Sequence, residues 1–197
     1  YVQNAIDLGA KDDALHAIVA DFYTLQGQLE QAAKQIEDLD NRTSSDTIVN
    51  IAKAHLYTQK DQLDRARKLL ERTRAEGDLG LLKDVYICSL LRREGHTEDA
   101  LQGLRQTADR YSDIAWPSLL LIDLQLREGK EKQALERVDT LTDQMQDKPT
   151  VRFRLALVLS RHGQEGRSLQ IARSCSDARG LEVPAHLLMC ELYQKKD

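Results

Sequence analysis

The sequence predicts an all-α solenoid built from helix–turn–helix units, and three observations carry that reading. Turn-forming residues stand at Gly27, Asp61, Gly95, Gly129 and Gly163, each 34 positions after the last, and one more step lands on Asp197. Columns of apolar and small side chains keep the same register on both sides of every turn. Composition agrees: 41% hydrophobic but only 5% aromatic residues, with 3 prolines and 10 glycines, suits thin layers of Leu, Ile, Val and Ala and excludes collagen-like or low-complexity chains.

Each half of the unit follows from its columns. Seven residues before the turn lie Ala20, Ala54, Cys88, Ile122, Ala156 and Cys190, mostly small. Five before it lie Phe22, Leu56, Leu90, Leu124, Val158 and Leu192, all apolar. Offsets of three and four trace one face of a helix of about 13 residues. After the turn, Ala32, Ala66, Ala100, Ala134 and Ser168 form a small column, and Ile36, Leu70, Leu104, Val138 and Ala172 an apolar one. Small residues at both places let the paired helices approach closely where they cross. Gly at the turn enters a conformation that costs other residues more, and Asp is the usual polar substitute.

Along the chain, residues 1–12 are expected to end a preceding second helix. Complete units span 13–46, 47–80, 81–114, 115–148 and 149–182, and 183–197 forms the first helix of a sixth, so that 1–197 is a single array. Ser45 and Asp46 are read as caps of one first helix and Asp113 of another. Pro117, Pro149 and Pro184 fall within or just before a first helical turn, where a missing N–H costs nothing. Lys53 occupies an otherwise apolar place, and Ser168 and Ala172 make the fifth unit the weakest. The chain opens at Tyr1 inside a helical pattern and its last helix (Ala185, Leu187, Leu188, Leu192) is strongly apolar, so it is expected to be a piece of a longer array.

The pattern resembles the tetratricopeptide repeat family, on Val19-Ala20, Tyr23, Ala32 and Ile36 in one unit and Ile87-Cys88, Leu91, Ala100 and Leu104 in another. The likeness covers the whole chain, although the family's frequent closing Pro is absent. It implies a right-handed superhelix, non-enzymatic, whose first helices line a concave protein-binding face. Some members clamp a chaperone's C-terminal carboxylate with Lys, Asn and Arg. The corresponding places here, Ala17, Asp21, Ala52, Leu82 and Tyr86, lack those side chains, so chaperone-tail docking is not expected.

No catalytic, cofactor-binding or metal site is expected. His16, His55, His96, His162 and His186 show no H-x-x-x-H or H-E-x-x-H spacing, and His16 and His186 share one repeat place and read as half-buried packing residues. Phosphate-loop, dinucleotide and nucleophile-elbow motifs are absent. Carboxylates such as Asp64 and Glu128 have Lys68 and Lys132 one helical turn on, the pattern of a solvated face. Cys88, Cys175 and Cys190 stand in packing columns, and whether Cys175 and Cys190 pair is left open. Asn41-Arg42-Thr43 fits a glycosylation sequon, which matters only in a secreted eukaryotic chain.

Charge and hydropathy narrow the partners. A net charge of −4 argues against nucleic acid, and no apolar run approaches the roughly 20 residues that cross a bilayer. The acidity is uneven: residues 1–46 hold nine acidic and three basic groups. A basic row (Arg93, Arg127, Arg161, joined by Arg92 and Arg154) runs near the turns, and Leu119 and Phe153 belong to an apolar column ten before them, with Trp116 in a column three further back. These eight residues are the candidate contacts for an extended or helical protein segment of acidic and aliphatic character. The alternative reading is inter-repeat core with a solvated arginine edge. Self-association through the repeat ends is a further expectation. Other readings are a periplasmic segment of a bacterial exopolysaccharide-export, outer-membrane-assembly or secretion protein that recruits enzymes, or the sensor array of a helical regulator. The compartment, periplasmic or cytoplasmic, stays open.

Overall fold

A computed structural model describes residues 13–40 and 47–195. Residues 1–12, the expected caps Ser45 and Asp46 and the sequon at Asn41 lie outside them. The described residues form eleven helices and no strand: α1 (Asp13–Leu25), α2 (Leu29–Asp40), α3 (Thr47–Gln59), α4 (Leu63–Arg72), α5 (Gly77–Arg93), α6 (Thr97–Arg110), α7 (Ala115–Arg127), α8 (Glu131–Gln144), α9 (Pro149–Arg161), α10 (Glu165–Arg173) and α11 (Glu182–Gln194). They are helix–turn–helix pairs of an α-solenoid. The chain divides into two compact units, Tyr1–Gly103 and Leu104–Asp197, the division falling inside α6.

The turns are built as their residues require. Gly27, Gly95, Gly129 and Gly163 have φ of 74°, 86°, 70° and 71°, and Asp61 adopts φ 60°, the one non-glycine with positive φ among the described residues. At each turn the N–H after this residue reaches back to a carbonyl five residues earlier: Gln28 to Tyr23 at 2.9 Å, Gln62 to Tyr57 at 2.8 Å, His96 to Leu91 at 2.9 Å, Lys130 to Gln125 at 2.8 Å and Gln164 to Leu159 at 3.0 Å. This is the Schellman C-cap, which needs a left-handed residue one position beyond the helix.

In the first unit, successive first helices α1, α3 and α5 pack on one another, and α2 and α4 pack beside their partners. Ala17, Ala20, Ala32, Ile36, Leu39, Val49, Ala52 and Leu56 make one core cluster, and Ala54, Ala66, Leu70 and Leu90 another. In the second unit α7, α9 and α11 stack in the same way, with α8 and α10 alongside. Its core runs through Ile122, Val138, Leu141, Leu155, Leu159, Ile171 and Leu188. Ser168 fills the small column with a purpose: its hydroxyl, fully buried, donates to the Ala156 carbonyl at 2.8 Å across the helix pair. The short α10 is thereby fastened by a hydrogen bond where other pairs rely on Ala.

Several local expectations need correction. Asp113 does not cap α7; Ile114 takes that place, without a side-chain hydrogen bond. Phe22, in a column buried at Leu56, Leu90, Leu124 and Leu192, is 56% exposed, because no described helix lies against that side of α1. His16 is buried and bonded to Gln35 at 2.8 Å, whereas His186 is exposed and bonds its own helix at the Glu182 carbonyl. Cys190 is exposed rather than packed, since no described helix follows α11. All three cysteines are free thiols.

Gly103 on α6 shows how tight the small columns are. A Cβ there would stand 2.7 Å from the Cys88 Sγ of α5. Gly103→Ala should therefore destabilise the fold by roughly 1–3 kcal/mol despite the better helix propensity of Ala. Adding Cys88→Ala should recover at least part of that loss in urea unfolding; a double variant no better than the sum of the single losses would sink the explanation. Asp61→Gly should stabilise by about 0.5–1 kcal/mol, read as a higher urea midpoint, because the left-handed conformation then carries no Cβ strain.

Candidate protein-interaction surface

Three first helices of the first unit are linked by a directed polar chain. The Asp21 carboxylate of α1 can only accept, and it accepts at one oxygen from His55 Nδ1 of α3 and from the Tyr86 hydroxyl of α5, both at 2.7 Å. With its proton on Nδ1, His55 presents Nε2 as an acceptor to the Gln59 amide at 3.4 Å. Gln59 in turn accepts from Arg93 Nη1 at 2.9 Å. The His55 ring stacks on Tyr86 with centroids 4.5 Å apart. Burial, then the charge of Asp21 and the hydrogen bond to it, pushes the Tyr86 phenol well above its ordinary range.

Of the eight expected contact residues, Arg92 and Arg93 lie in the first unit and the other six in the second. Arg92 is exposed; Arg93 is exposed but tethered through Gln59. In the second unit Trp116 is 38% exposed, and Arg154 and Arg161 are exposed. Leu119 and Phe153 are half-buried against the core. Arg127 is held one turn away by Asp123 at 3.1 Å, and Asp123 also meets His162 Nε2 at 2.9 Å. The apolar column divides: Ala17, Ile51 and Val85 are buried core, while Leu119 and Phe153 keep an accessible edge.

Sequence reasoning missed both sets of cross-helix links. Asp21 with His55 and Gln59 with Arg93 are each 34 residues apart, so the repeat period alone pairs them. On the second helices, Asp109 meets Arg137 and Asp139 meets Arg167, both at 2.8 Å and both 28 residues apart, and Arg105 donates to Gln133 at 3.3 Å with the same separation. Arg67 pairs with Glu94 in the first unit.

Burial, followed by the nearby Asp84 charge, pushes the Cys88 thiol up to about 12, as suits a packing residue. Among the described residues no group of His, Cys, Asp and Glu could hold a metal ion, and no helix is long and apolar enough to cross a membrane. Apolar side chains stand open on α1 (Ile18, Phe22, Leu25) and α11 (Val183, Leu187).

No known family profile and no curated protein sequence matches this chain. Among solved structures it is similar to YrrB, described as a TPR protein with an unusual peptide-binding site, at 16% identity and a TM-score of 0.49, over 100% of this chain and 98% of the other. It is also similar to MamA (AMB-1), at 14% identity and a TM-score of 0.47, over 84% of this chain and 91% of the other.

The polar chain makes a pH-dependent prediction. The fold favours the neutral Tyr86 phenol, so its stabilising contribution is complete below the ordinary value of 10.0 and is lost as pH rises beyond it. Tyr86→Phe should cost about 1 kcal/mol at pH 7. In melts taken from pH 7 to 11 the gap to the parent chain should narrow above about pH 10, and a gap that stays constant would show that the phenol's proton is not involved.

Proposed function

We propose that this chain is a non-catalytic interaction scaffold that binds a protein segment along its first-helix face. The reading rests on one observation above the rest: in the second unit the first-helix face combines an accessible Trp116, the half-buried Leu119 and Phe153, and the exposed guanidinium groups of Arg127, Arg154 and Arg161. An aromatic anchor beside aliphatic edges, rimmed by arginine, suits a segment carrying alternating aliphatic and acidic residues. Arg92 and Arg93 offer the same chemistry on the first unit. Helix backbones have their hydrogen bonds satisfied, so specificity on such a face comes from side chains alone.

The rim and the apolar edge act on different parts of binding. Arginines on an exposed rim speed encounter and sort partners by charge, with a strong dependence on salt. Desolvating Trp116 and Phe153 supplies the slower dissociation that holds a partner in place.

A library of short peptides, graded in acidic and aliphatic content, provides the test. Acidic-aliphatic peptides should bind the parent chain, and the Arg93→Glu, Arg127→Glu, Arg161→Glu triple variant should bind them at least about tenfold more weakly. Unchanged affinity across the library would overturn the first-helix face as the binding surface.

A further inference from the structure

Successive first helices meet through two faces that the repeat columns identify. The trailing face of one helix carries the residues ten and seven before its turn. The leading face of the next carries those twelve, nine and five before its own. At the α1–α3 joint, Ala17 and Ala20 share one core cluster with Val49, Ala52 and Leu56, and none of the five is more than 3% exposed. At the α9–α11 joint, Phe153 and Ala156 share a core cluster with Leu188 and Leu192 in the same register.

Two faces of this kind have no counterpart among the described residues. The leading face of α1 is open: Ile18 is 49% and Phe22 56% exposed, in columns where Ala52 and Leu56 are core. The trailing face of α11 is open as well. Leu187 is 61% exposed and Cys190 is exposed, in columns where Ala17 and Ala20 are fully buried. Val183, 68% exposed, stands one helical turn before Leu187. These are the two halves of one joint, each apolar and each uncovered, and open apolar faces mark association sites. Charge distinguishes the two ends. Residues 13–40, which hold α1 and α2, carry six acidic side chains and one basic. Residues 149–195, which hold α9 to α11, carry seven basic and four acidic. Like ends therefore repel, and unlike ends attract.

We propose that this chain associates with itself head to tail, the α1 leading face of one copy docking on the α11 trailing face of another. A second copy is the occupant because it carries the other half of the joint, in the register that the internal joints already use. Ile18 and Phe22 take against Leu187 and Cys190 the places that Ala52 and Leu56 take against Ala17 and Ala20. Phe153, which occupies the place of Leu187 at the α9–α11 joint, shows that the joint accommodates a bulky side chain there. The contact is heterologous, so a joined pair keeps one free face of each kind. Repeats in a solenoid contact only their neighbours, so the joint leaves the packing within each copy unchanged. Neither α1 nor α11 belongs to the partner-binding surface proposed above, and the association does not depend on the scaffold reading.

The test is sedimentation equilibrium of the full 197-residue chain, from low to high micromolar protein. Its weight-average mass should climb above the single-chain 22.4 kDa as concentration rises. Phe22→Glu and Leu187→Glu should each weaken association by about tenfold or more. Both side chains are open to solvent, so the thermal midpoints of the variants should match the parent's, and lost association cannot be laid to unfolding. An equimolar mixture of the two variants should form a one-to-one pair and grow no further. In that mixture one variant keeps an intact α11 face and the other an intact α1 face. A parent chain that holds the single-chain mass throughout, a variant that associates like the parent, or a mixture no more associated than its components would each overturn the proposal.

Discussion

At every turn between paired helices, an N–H bonds back to the carbonyl five residues earlier, and that bond closes only around a left-handed residue. Helix pairing, and with it the burial of the small columns, depends on this reversal. If the turn residue opened to an ordinary conformation, the second helix would leave its partner, and Ala20 would lose Ala32 as Ala54 would lose Ala66. The glycine ladder is therefore a backbone requirement. Asp61 shows the requirement by meeting it without being glycine.

Between repeats, the cohesion is mostly apolar and is fixed in register by a few polar contacts. Asp21 receives hydrogen bonds from two helices at once, and a slip of either by one residue would leave a half-buried carboxylate without them. Nonspecific Leu and Ala layers tolerate small slides; such hydrogen bonds do not. The stacked ring pair of His55 and Tyr86 adds a second geometric lock at the same place.

The fold was almost wholly legible in the sequence, because the signals that carry it are local and repeated: a glycine at fixed period, a small residue at each crossing, an apolar stripe on each helix. What could not be read is whether a neighbour covers a column. Phe22 and Leu56 occupy the same repeat place, yet one is open and the other is core. Cys190 and Ala156 differ in the same way. The polar links were half-legible: a separation of 34 could have paired Asp21 with His55, but the 28-residue links depend on how far one second helix is staggered against the next, which no column records. The candidate surface was legible as a list of residue types. That Arg93 and Arg127, though exposed, are held by Gln59 and Asp123 needed coordinates.

The ion pairs between consecutive second helices of the second unit have a mechanical meaning. Asp109–Arg137 and Asp139–Arg167 join neighbours in a row, with side chains partly open to solvent. Each contributes little to stability, about 0.2–1 kcal/mol. They work instead as ties between neighbouring second helices, and Arg137 extends its tie to the first helix α7 by donating to the Ser118 hydroxyl. Ionic strength screens such ties, so within this unit the part of the packing that feels the surrounding electrolyte is the outer row of ion pairs and not the apolar layers beneath.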